Sequence, residues 1–86
     1  MRNDFELRAG LEALLVVAET PLNLITLAGA LEAPIGEVKK EIDFLVEDYE
    51  SAHGGAGRGF ELREVGGGWR IYVRQSHDWA VRQLVA

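Results

Sequence analysis

The hydrophobic pattern of this chain changes period once, and the change falls on a run of glycines. Up to Ser51 the apolar residues recur every three to four positions, whereas from Phe60 to Val73 they alternate. The segment between, Gly54-Gly55-Ala56-Gly57-Arg58-Gly59, is too glycine-rich for a helix or a strand and reads as a flexible connector. With 86 residues in all, that order describes one small α+β domain, helices first and a hairpin after.

The helical half divides at its two prolines. Leu7, Leu11, Leu14, Leu15 and Ala18 form one face of a first helix over about Phe5 to Ala18, in which Gly10 costs up to ~1 kcal/mol relative to alanine. Thr20-Pro21 ends it, because the residue before a proline is pushed out of the helical region. Asn23 is suited to cap a short second helix with Leu24, Leu27, Ala28 and Leu31 as its buried stripe. Ala33-Pro34 is the next break, and Pro34 suits the first turn of a third helix that runs to about Ser51. That helix is expected to bury Ile35, Val38, Ile42, Leu45, Val46 and Tyr49.

Beyond the glycines, Phe60, Leu62 and Glu64 alternate with Glu61, Arg63 and Val65, and Trp69, Ile71 and Val73 alternate with Arg70, Tyr72 and Arg74. Gly66-Gly67-Gly68 signals a hairpin, since primed turns need positive φ. One buried face for Phe60, Leu62, Trp69, Ile71 and Val73 requires Phe60 opposite Val73 and Leu62 opposite Ile71. The same register makes Gly66-Gly67 the turn and sets Arg63 across from Arg70, a like-charge pair that Glu61 can relieve diagonally. Ser76 can cap a last helix with Trp79, Leu84 and Ala80 inward. Three helices, a hairpin and a closing helix make a winged helix-turn-helix.

Charge bears on what such a domain does. The net charge is −5, with −7 over residues 1–50 and +2 over residues 51–86. A winged helix that reads DNA inserts its third helix into the major groove. From Gly36 to Ser51 that helix carries six acidic residues against Lys39 and Lys40, a balance of −4 that phosphates would repel. Weak or indirect DNA contact is the expectation, and a DNA-binding transcriptional regulator is the alternative reading.

Catalytic and metal chemistry find little to stand on. The glycine loop lacks the lysine, the hydroxyl and the strand-to-helix context of a phosphate-binding loop. His53 and His77 are far apart in sequence without a third ligand, and cysteine is absent. Thr20, Thr26, Ser51 and Ser76 sit in no nucleophile motif, and Glu61 and Glu64 fall on opposite faces of one strand. The expectation is a non-enzymatic module with no cofactor and no metal. No apolar run approaches the roughly 20 residues of a membrane span, and Met1-Arg2-Asn3-Asp4-Phe5-Glu6 lacks a signal-peptide core, so a cytoplasmic location is expected.

What the pattern leaves over is surface. Phe44 lies opposite the Ile35 and Ile42 stripe, and Phe5 and Val16 lie opposite Leu7 and Leu14, which makes these three candidates for an association surface. Arg63, Arg70, Tyr72 and Arg74 form a candidate patch for an acidic partner or for phosphates.

The stretch Leu11-Glu12-Ala13-Leu14-Leu15-Val16-Val17-Ala18-Glu19-Thr20-Pro21-Leu22, then Leu27-Ala28, then Gly57-Arg58-Gly59-Phe60-Glu61-Leu62-Arg63-Glu64-Val65-Gly66-Gly67-Gly68-Trp69-Arg70, resembles segregation and condensation protein B, ScpB. The resemblance implies an accessory subunit of the bacterial SMC condensin complex, acting in chromosome condensation and segregation at the nucleoid. It implies two winged helices in tandem, a homodimer formed through the first, and association with the kleisin ScpA and through it with SMC. Residues 1–86 look like the first of those two winged-helix domains, so contacts of the second cannot be carried over.

Overall fold

A computed structural model describes residues 2–86 of the chain. Four α-helices and one antiparallel hairpin follow in the order α1 (Asp4–Val17), α2 (Leu24–Leu31), α3 (Ile35–Ser51), β1 (Phe60–Val65), β2 (Gly68–Val73) and α4 (Asp78–Val85), with 3-10 turns at His53–Gly55 and Gln75–His77. This is the winged helix-turn-helix expected from the periodicity.

Local chemistry sets the helix ends. The Asn3 side chain accepts the Glu6 N–H at 2.9 Å and donates to the Glu6 carboxylate at 3.0 Å, so the first turn of α1 is closed reciprocally. Asn23 caps α2 as anticipated, accepting the Thr26 N–H at 2.8 Å. Pro34 stands just outside α3 as its cap, and its carbonyl accepts the N–H groups of Glu37 and Val38. Gly10 weakens α1 but lets α2 come close, since a Cβ there would lie 3.0 Å from Leu31 Cδ2.

The core joins Leu7, Leu11 and Leu15 of α1, Leu27, Ala28 and Leu31 of α2, Val38, Ile42, Leu45 and Tyr49 of α3, and Leu62 and Trp69 of the wing. The hairpin register is the expected one, with Phe60 opposite Val73, Leu62 opposite Ile71 and Arg63 opposite Arg70. Leu22 forms an isolated antiparallel bridge to the wing: its N–H donates to Trp69 O at 2.9 Å, and Trp69 N–H returns to Leu22 O at 2.7 Å. Gly68 makes that approach possible, because a Cβ on it would meet Pro21 Cβ at 2.8 Å.

Several expectations need correction. The segment after α3 is hydrogen-bonded rather than loose: Gly57 N–H donates to Ala52 O and Arg58 N–H to Tyr49 O, folding it back on the end of α3. Ile35 and Val73 are exposed, at the first turn of α3 and the last position of β2, where the core has ended. Ser76 does not cap α4. It lies in the 3-10 turn, and the helix begins at Asp78 after His77. Trp79, Ala80 and Leu84 point outward, and no residue of α4 is buried, since the helix departs from the core after that turn. Among the described residues, no helix is long and apolar enough to cross a membrane.

Candidate interaction surfaces

Helix α1 has two apolar sides. Leu7, Leu11 and Leu15 face the core, while Phe5, Ala9, Ala13 and Val16, at i, i+4, i+8 and i+11, form a second, exposed stripe, with Val17 beside it. Phe5 is 75% exposed and Val16 74%. The two alanines escape notice by residue type and are found only by their spacing. Small side chains at the centre of a stripe let a facing helix approach closely.

Polar pairs seal the seam between this stripe and α3. Arg8 Nε donates to Glu41 Oε1 at 2.7 Å, and the Glu41 carboxylate is buried at 1% exposure. The same guanidinium stacks 3.5 Å from the Phe44 ring centroid and 5.6 Å from that of Phe5. Phe44, expected opposite the core, is thus half covered by Arg8 at 44% exposure, and Arg8 links it to Phe5. One turn or more along, Tyr49 Oη donates to Glu12 Oε2 at 2.6 Å. Burial first, and then the Glu12 carboxylate, push the Tyr49 phenol above its ordinary range, so it remains a donor.

The wing carries the second surface. Arg63 and Arg70 face each other across the strands, each with its guanidinium carbon 5.4 Å from the Tyr72 ring centroid. Glu61 does not relieve them, and neither arginine makes an ion pair among the described residues. Arg74 does not join this patch. Its Nε donates to Arg58 O at 2.7 Å, its Nη2 to Phe60 O at 3.0 Å and more weakly to Tyr49 O, and its Nη1 pairs with Glu50 at 3.0 Å. The strand ends at Val73, so alternation no longer decides where Arg74 points. Gly57, at φ +84°, leaves room for that guanidinium, since a Cβ would lie 3.1 Å from it.

The remaining candidates are scattered. On α3 the acidic Glu37, Asp43, Glu47 and Glu50 are exposed, and Lys39 is paired with Asp43. His53 lies in the turn after α3 and His77 precedes α4. Among the described residues no three potential metal ligands come together.

The family model of the segregation and condensation complex subunit ScpB matches residues 9–86. The chain belongs to the ScpB family. Segregation and condensation protein B of Syntrophotalea carbinolica is 38% identical over 79 residues, covering 92% of this chain but 38% of that protein. ScpB from Mycobacterium tuberculosis superposes with a TM-score of 0.88 at 32% identity, over 99% of this chain and 51% of that one. A solved dimer of an ScpB N-terminal domain complexed with ScpA peptide superposes with a TM-score of 0.81 at 28% identity, over 93% of this chain and 95% of that one. The chain therefore spans only 38% to about half of its full-length relatives, and nearly all of an ScpB N-terminal domain.

Proposed function

We propose that residues 1–86 constitute the first of two winged helices of an ScpB subunit, acting without catalysis in the bacterial SMC condensin complex. The domain self-associates and holds a segment of the kleisin ScpA, and through it SMC, in chromosome condensation and segregation in the cytoplasm at the nucleoid. The observation that carries this reading is the match, over 93% of this chain and 95% of the other, with an ScpB N-terminal domain that is a dimer complexed with ScpA peptide. The exposed second stripe of α1 supports the self-association half, because covering exposed apolar surface gains ~25 cal/mol per Å². The acidic exposed side of α3 speaks against the transcriptional-regulator reading.

The test is titration of a labelled ScpA peptide from the same organism with the chain, read by fluorescence anisotropy. Saturable binding with one peptide per defined number of chains is expected. Absence of binding at concentrations where the chain is a dimer would remove the kleisin half of the proposal and leave self-association standing.

A further inference from the structure

Arg63 and Arg70 are an anomaly within the wing. Two guanidiniums placed opposite each other on an antiparallel pair repel, and sequences usually set an acid nearby to offset them. Here the one acid on that face, Glu61, pairs with neither, and Glu50 on α3 is occupied by Arg74. The Tyr72 ring, 5.4 Å from each guanidinium carbon, attracts both, so the two carbons lie at most twice that distance apart. Arg70 Nε is buried without an acceptor, while the residue as a whole stays half-exposed and Arg63 is exposed. A partly desolvated cation whose donors are unmet attracts an anion more strongly than a fully hydrated one.

We propose that this outer face of the wing, Arg63 and Arg70 with Tyr72, binds the carboxylates of an acidic peptide segment of a partner protein. A guanidinium fork matches a carboxylate in two hydrogen bonds, and two forks on one face of the hairpin can take neighbouring carboxylates of one segment. Val65, 38% exposed, lies on the same face by alternation, so the ligand meets apolar, aromatic and arginine surface together. That mixture, rich in Tyr and Arg, is the composition of protein-binding hot spots. A nucleic acid fits less well, because the neighbouring α3, packed against β1, exposes Glu37, Asp43, Glu47 and Glu50, and that negative charge opposes phosphate binding. The site lies on the hairpin and the second stripe on α1, so the two rest on different elements.

Fluorescence anisotropy with a fluorescein-labelled glutamate-rich peptide, run against the chain at low and at physiological salt, tests the proposal. Binding should weaken with salt, and Arg63→Gln and Arg70→Gln should each lower affinity about tenfold. Arg63→Glu/Arg70→Glu should abolish binding, while Arg82→Gln on α4 leaves it unchanged. Circular dichroism checks folding, and the glutamine variants, which remove like-charge repulsion, should melt no lower than the parent. The proposal fails if the peptide does not bind, if both glutamine variants bind it as the parent does, or if a short DNA duplex is bound in preference to it.

Discussion

Arg8 does two things with one guanidinium. It neutralises a carboxylate that is almost wholly buried, Glu41, and it covers one face of Phe44. Removing one partner of such a pair leaves the other charge buried and unmatched, which typically costs ~3–5 kcal/mol. Arg8→Met is therefore expected to destabilise the domain by about that much in urea unfolding, a large part of the stability of a domain this small. Arg8→Met/Glu41→Met should recover most of the loss, because replacing both members of a buried pair with apolar groups is often neutral. None of this was visible in the sequence. Glu41 lies among the acidic residues of α3 and looks like one more solvated charge. It is buried because α1 crosses it. Arg74 departs from its expected place for the opposite reason: the alternation that holds for Arg70 and Tyr72 stops where β2 ends, at Val73.

At the scale of the elements, the hairpin was the most legible part. Period-two alternation and a glycine turn determine a register, and Gly66 and Gly67 do adopt positive φ, 58° and 78°. What the pattern did not reveal is that Gly68 serves a different end, the close approach of Pro21 and Leu22. Gly68→Ala should drive a Cβ into Pro21 and lower stability by ~1–3 kcal/mol, as overpacking does. Gly59→Ala, where a Cβ meets nothing within 4 Å, should change the melting temperature little. Comparing the two variants by thermal denaturation separates close approach from a general preference for glycine in the wing. The last helix was the least legible. Its apolar residues have helical spacing, but amphipathicity says only that a helix has a side to cover and not that this chain covers it.

At the scale of the whole molecule, the proposed role is self-association rather than the reading of DNA. Its core is complete with one stripe of α1 inward, and the second stripe of Phe5, Ala9, Ala13 and Val16 is left in solvent beside the Arg8-covered Phe44. The periodicity located the fold and flagged Phe5, Val16 and Phe44. The arrangement of these groups around Arg8 needed the crossing of α1 and α3, a tertiary fact that no local pattern carries. Sedimentation equilibrium of the chain and of its Val16→Glu variant is the most direct measurement. A dimer at micromolar concentration is expected, and Val16→Glu should convert it to a folded monomer, since an interface would have to desolvate the new charge. A parent chain that remains monomeric at high concentration, or a Val16→Glu variant that dimerises as tightly as the parent, would overturn self-association through this stripe.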